Sequence, residues 1–263
     1  MIRATVGILA GVGGGFDADY QAVLDYATTQ GYTLPSASQQ ELQNQLVVDL
    51  KDAGVWNKLD TFSLFATDGD SDFALIDWIR LTQYSAVNSP SFTTNEGFQS
   101  NGTSSYINSN FNPNTQGINY QLDDASFGVY LLQNTNGNYC HIGGLIGSTQ
   151  RIQLVMNRGG NLTRVNDGTS GFPSTDITST GLIFANRVNS TTINIYDNNT
   201  LHEQKTQSSG SIPNLNINVL AWNFNGTPGF YTVDKTSMAY LGANLTSESS
   251  DFYTAVNSYM TSI

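Results

Sequence analysis

"SFGVYLLQ" occupies residues 126–133. Phe127, Val129 and Leu131 recur at every second position, which places them on one face of an extended chain. The spacing predicts a strand, and segments of the same kind surround it. "TFSLFAT" (61–67) alternates Phe62, Leu64 and Ala66, and "RIQLVMN" (151–157) alternates Ile152, Leu154 and Met156. "GLIFANR" (181–187), "TTINIYD" (191–197) and "NINVLAWNF" (216–224) follow. Turn-forming runs separate them: "NTNGN" (134–138), "NRGGN" (157–161), "NDG" (166–168) and "NGTPG" (225–229). Many short strands with regular turn signals predict a β-sandwich or barrel from residue 60 onward.

Ahead of the strands the period changes to that of helices. In "DADYQAVLDYATTQG" (17–31), Asp17 is a candidate cap, Tyr20, Val23, Leu24 and Ala27 form one stripe, and Gly31 is the stop. In "SQQELQNQLVVDLKDAG" (38–54), Ser38 and Glu41 have the spacing of a capping box, and Leu42, Leu46, Leu50 and Ala53 line one face up to Gly54. An αα-hairpin with one apolar stripe per helix must pack on something larger. A third helix closes the sequence. Thr246 is its candidate cap, and Phe252, Ala255, Val256, Tyr259, Met260 and Ile263 form its stripe. It is expected on an edge or the outer face of the sandwich.

The first residues read differently. Residues 1–10 suggest a strand or extended arm, and "GVGGG" (11–15) a flexible joint. Phe16 stands where a dinucleotide fingerprint needs its third glycine. The apolar run is too short for a secretory signal, so the stretch reads as mature sequence.

Composition narrows the function. Charged residues are only 12%, which suits a neutral polar β surface better than a helical bundle. The net charge of -11 repels phosphate backbones, so no nucleic-acid partner is expected. No run of about 18 apolar residues predicts a membrane span. A single cysteine, Cys140, excludes an intrachain disulfide.

"FATDGDSDFALIDW" (65–78) concentrates four aspartates. Asp68, Asp70 and Asp72 match the first, third and fifth ligand positions of an EF-hand loop, but Phe73 replaces its glycine and Ile79 its last glutamate. Half a motif leaves two readings, a calcium site and a solvated acidic turn. No other cofactor is expected. Sandwich glycosidases need two carboxylates roughly 5–5.5 Å or 6.5–9.5 Å apart. The four glutamates, Glu41, Glu96, Glu203 and Glu248, show no paired spacing, and Asp123 and Asp124 would face opposite sides of a strand. Cys140 and His141 would likewise point apart, and His202 lies in a predicted hairpin, so neither a nucleophile nor a zinc set stands out. The chain is therefore read as not an enzyme.

Aromatic residues are the remaining lead. Exposed rings beside Asn- and Gly-rich turns suit sugar binding. Tyr139, Trp222, Phe224 and Tyr231 lie near such turns, and Tyr139, Trp222 and Tyr231 are the glycan candidates. The competing reading for each is sandwich core.

"AVNSPSFTTNEGFQSNGTSSYINSNFNP" (86–113), followed by "ASFGVYL" (125–131), resembles the opening of concanavalin A-like (laminin G-like) jelly-roll domains in bacteriophage virion proteins. "INIYDNNTLHEQKT" (193–206) is similar to their hairpin, and residues 223–260 to their closing strand and terminal helix. The preceding stretch, residues 26–78, resembles a leader found with such domains. The resemblance implies a mainly β fold: a concanavalin A-like jelly-roll β-sandwich over residues 60–263, with an N-terminal helical hairpin in a leader of residues 1–59 and a C-terminal helix. It carries no catalytic residue. It implies a virion structural protein at the particle surface, a capsid-associated, head-fibre or tail-fibre component. Its N-terminal region would hold other virion proteins, it would form a homo-oligomer, and its sandwich would face host-surface glycan. A free-standing lectin-like carbohydrate-binding protein and a sandwich-fold glycoside hydrolase are the alternatives. The acidic stretch would then be a connection at the mouth of the sandwich, joining leader to strands.

Overall fold

The computed structural model describes residues 15–147, 150–167 and 175–263. The expected N-terminal arm, and all but the last glycine of the joint, lie outside the described residues.

The first helix, Ala18–Gln30, begins and ends where its sequence dictates. The Asp17 carboxylate accepts the Asp19 N–H at 2.9 Å. Gly31 takes the left-handed conformation at φ 78°, and the Gly31 and Tyr32 N–H groups return to Thr28 and Ala27, the two bonds of a Schellman motif. The second helix, Ala37–Asp52, corrects the expected cap. Ser36, not Ser38, is the N-cap and accepts from Gln39 N. Ser36 has the extended backbone a cap requires, whereas Ser38 already lies within the helix. The inner stripe differs too. Leu46 and Leu50 are buried as expected, but Gln39, Gln43 and Val47 complete the face, and Leu42 and Ala53 are half-buried. The glutamines are admitted because each finds partners. Gln43 accepts from the Tyr20 hydroxyl and donates to Thr67 Oγ1 and the Tyr259 hydroxyl, and Gln39 donates to Asn95. The terminal helix, Ser249–Met260, starts after Glu248 rather than at Thr246, whose hydroxyl is engaged by Asn244.

Two sheets make the body, the first wholly antiparallel and built on Ala125–Leu131, the second antiparallel except for one short parallel pair. Gly181–Arg187 flanks this strand on one side and Lys235–Gly242 on the other. Thr192–Asp197 and the edge strand Thr200–Thr206 extend the first side. Lys235–Gly242 divides its far edge between Leu59–Leu64 and Gly97–Gln99. The second sheet runs in the order Arg164–Asp167, Gln150–Leu154, Ile142–Ile146, Asn218–Val219, Tyr106–Asn108, Ser85–Val87.

Phe127, Val129, Ile183, Ala185, Ala239 and Leu241 face the second sheet, meeting Ile142, Ile152, Leu154 and Val219 in the inner core. Their neighbours in sequence face the other way. Phe62, Leu64, Tyr130, Leu182, Phe184, Met238 and Tyr240 pack against all three helices, under Tyr20, Val23, Leu24, Leu46, Leu50, Phe252 and Val256. The first sheet is thus buried on both faces, and its strands read as continuous apolar runs for that reason. At Gly128 a Cβ would lie 2.5 Å from Phe184 Cβ and 2.7 Å from Ile183 O, so only glycine fits beneath the Phe184 ring. Among the described residues helices, first sheet and second sheet form three layers, and the outer face of the second sheet is the one turned away from the helices. The fold is a concanavalin A-like jelly-roll sandwich with an N-terminal helical hairpin and a C-terminal helix. No described helix is long and apolar enough to cross a membrane.

Candidate functional site

The outer face of the second sheet carries a short hairpin, Trp222–Phe224 and Thr227–Gly229, closed by Asn225 and Gly226 at φ 50° and 88°. Two consecutive positive φ values are those of a type I′ turn, which Asn-Gly favours. Trp222–Phe224 pairs in parallel with Ile142–Ile146, and the Asn225 N–H donates to Leu145 O at 3.0 Å while its Oδ1 accepts from Gly147 N. The hairpin is fixed on the sheet by these bonds.

Register then assembles a surface. Arg151 stands opposite Leu145, and Leu145 opposite Phe224, so the three form a row across adjacent strands. Gln153, Gly143 and Trp222 form the next row. Ile152 and Leu154 point into the core, which sends Arg151 and Gln153 outward. Leu145, Gly147, Arg151, Trp222 and Phe224 line a depression of ≈ 360 Å³. Phe224 is 39% exposed. Trp222 is half-buried, with Phe224 at 6.1 Å between ring centroids and Phe230 at 3.8 Å. Arg151 is half-buried, and its Nε has no hydrogen-bond partner among the described residues.

Of the three glycan candidates the structure brings Trp222 to this surface. Tyr231 packs on Tyr106 at 6.3 Å and donates to Pro228 O. The Tyr139 ring covers Gly137, where a Cβ would lie 2.3 Å from it. Neither makes ring contact with Trp222 among the described residues. Arg151 and Leu145 did not stand out in the sequence. The available signal was the alternation of "RIQL", which places Arg151 on the face opposite Ile152.

The acidic stretch does other work. Asp68 accepts the Ser36 N–H at 3.0 Å, and Asp70 accepts the Thr33 N–H at 2.6 Å and caps the turn Ser71–Ala74 through Phe73 N. Asp72 accepts from Gln83. Asp68 and Asp70 thereby tie the turn between the first two helices to the sandwich, and no three metal-binding side chains converge among the described residues. A second hollow of ≈ 400 Å³ lies beside Trp56 and Ile118. Its charged groups are engaged: Asp60 accepts from the N–H groups of Ile118, Asn119 and Tyr120, and Arg80 binds Asp77 and the carbonyls of Ser109 and Asn110.

Cys140 and His141 are both fully buried. Burial pushes the Cys140 thiol up to about 12, so no thiolate forms near neutrality. His141 Nε2 lies 2.9 Å from Asp234 Oδ2, and Thr135 N donates to Asp234 Oδ1. Burial alone would raise the Asp234 carboxyl, but the bonds from His141 and Thr135 outweigh it and hold the group below the usual carboxylate range. A lowered folded pKa contributes stability that is complete above about pH 4 and disappears as the pH falls through the folded value. Asp234→Asn is therefore expected to lower the urea midpoint clearly at pH 7, with the gap to wild type narrowing at pH 3. An equal gap at both values would contradict the assignment.

No protein-family model matches the chain, and no curated protein matches it by sequence. Solved structures do match in fold. A mutant of Trypanosoma rangeli sialidase displaying trans-sialidase activity superposes with a TM-score of 0.51 at 11% identity, over 85% of this chain and 40% of that one. The chain thus spans well under half the length of that sialidase. Domain 4 of AbnA, a GH43 extracellular arabinanase from Geobacillus stearothermophilus, in complex with arabinotriose, gives 0.47 at 18% identity, over 74% and 98% of the two chains. The binding domain of botulinum neurotoxin serotype D gives 0.41 at 11% identity, over 76% and 52%.

Proposed function

We propose that the chain is a lectin-like carbohydrate-binding protein and that the outer face of its second sheet is the binding surface. The observation that carries this is the pair of the half-buried Trp222 and the exposed Phe224 over the Arg151 depression. The electron-rich face of an aromatic ring attracts the C–H face of a sugar, while the sugar hydroxyls stay solvated. A shallow apolar floor with few polar groups matches such a ligand. A binding role rather than catalysis is supported by the state of the buried reactive groups: Asp60, Asp77 and Asp234 are each occupied by donors, and Cys140 is held as a thiol. The finer placement, on a phage particle with the N-terminal region holding other virion proteins, is supported by the sequence resemblance.

A glycan array tests the reading. The wild-type chain should bind at least one saccharide, and Trp222→Ala should weaken that binding by about tenfold or more, the equivalent of about 1.4 kcal/mol. Phe224→Ala, at a more exposed position, should weaken it with unchanged thermal stability. Silence of the wild-type chain at high density, with and without calcium, would remove the proposal.

A further inference from the structure

Most cations among the described residues are paired with carboxylates. The sequence sets 21 carboxylate side chains against 10 lysines and arginines. Lys51, Lys58, Arg80, Arg164, Arg187, Lys205 and Lys235 each have a carboxylate within 4.0 Å. Arg158 donates to the side chain of Asn138. Among the described residues Arg151 and Arg158 have no ion pair; Asp167 stands opposite Arg151 on the next strand without forming one, its carboxylate being shared with Arg164 and Arg187, and the Arg151 Nε is buried without an acceptor. The stretches outside the described residues contain no Asp or Glu, so no carboxylate side chain of the chain serves as its partner.

This guanidinium sits at one end of the row Arg151, Leu145, Phe224, with Trp222 in the next row and Gly143 contributing no side chain between Trp222 and Gln153. A half-desolvated, unneutralised guanidinium presents a planar fork of donors suited to an oxyanion. Beside it lie the rings already assigned to a sugar. In a chain with a net charge of -11, a guanidinium without an ion pair gives this face a local attraction for an anionic ligand.

We propose that the surface selects anionic saccharides, with a carboxylate or sulfate ester on Arg151 and the sugar ring against Trp222 and Phe224. This rests on the carbohydrate-binding reading and names its substrate class. Titration of the full chain against a uronate oligosaccharide, its carboxyl-reduced counterpart and a sulfated oligosaccharide tests it. At least one anionic probe should bind tenfold or more tighter than the reduced one, with affinity falling as salt is raised. Arg151→Gln should bring the anionic probe down to the level of the neutral one, while Trp222→Ala weakens both. Arg151→Lys should restore part of the preference, as a point charge without the fork would. Preference for the uronate assigns a carboxylate, and preference for the sulfated probe a sulfate ester. Equal binding of charged and reduced probes, or an Arg151→Gln variant with full preference, would overturn the inference and leave carbohydrate binding standing. Loss of binding for every probe would count against both.

Discussion

Asp77→Ala is expected to destabilise the chain by about 3–5 kcal/mol, the range for breaking a buried charge pair. Asp77 is fully buried and accepts from Thr61 Oγ1 at 2.6 Å, Phe62 N at 3.2 Å, Ile79 N at 3.1 Å and Arg80 N at 3.3 Å, with Arg80 Nε at 2.6 Å. One carboxylate thereby stitches the strand Leu59–Leu64 to the turn after Ile76. Its removal leaves buried donors without acceptors, which is the expensive half of losing a hydrogen bond. Arg80 softens the loss, since its side chain is 19% exposed and keeps the carbonyls of Ser109 and Asn110. Asp77→Asn should fall between, retaining an acceptor but placing an amide against Arg80 or Thr61. Urea midpoints for the three chains check the order. A shift below about 1 kcal/mol for the alanine variant would mean water replaces the carboxylate freely.

Phe184→Ala is expected to cost a similar amount, about 3–5 kcal/mol, through the cavity it leaves. Phe184 is fully buried, stacked on Tyr196 at 4.7 Å and 6° and set edge-on to Phe252 at 5.6 Å and 84°. It is the point where sheet and terminal helix meet. Gly128, which makes room for it, cannot refill the space. Phe184→Leu should cost far less, under about 1.5 kcal/mol, because most of the volume is kept. Hydrogen exchange should show the alanine variant loosening Ser249–Met260 before the inner core. Uniform loss of protection would instead mean that helix and sandwich open as one unit.

The elements were legible because they rest on local chemistry. Asp17, Gly31 and the Tyr20 to Ala27 stripe specify the first helix, and the Asn225–Gly226 turn specifies the hairpin beneath the site, each within a few residues. Double burial of the first sheet was less legible. "SFGVYLLQ" and "GLIFANR" show their inner-facing set by alternation, but Tyr130, Leu182 and Phe184 break the pattern because three helices cover the other side. The cap of the second helix was displaced because Ser36 owes its place to Asp68, 32 positions away. The roles of Asp60 and Asp234 likewise depend on partners 58 to 60 and 93 to 99 positions away, and Asp77 joins Ile79 and Arg80 nearby to Thr61 and Phe62, 15 to 16 positions back. Trp222 was legible as an aromatic beside a turn. Arg151 was not, because what distinguishes it is a guanidinium without an ion pair placed beside the Trp222 and Phe224 rings, and that depends on the register of strands far apart in sequence.

Covering one sheet with helices gives the molecule a back and a front. If several copies were held side by side by their backs, all fronts would point the same way, and each shallow groove would add to the grip of the next. Avidity of that kind tolerates weak single contacts and rewards a dense, repetitive target such as a polysaccharide coat. On the proposed carbohydrate-binding reading, a tether on the helical side would leave recognition untouched, whereas one near Asn225 would blind it.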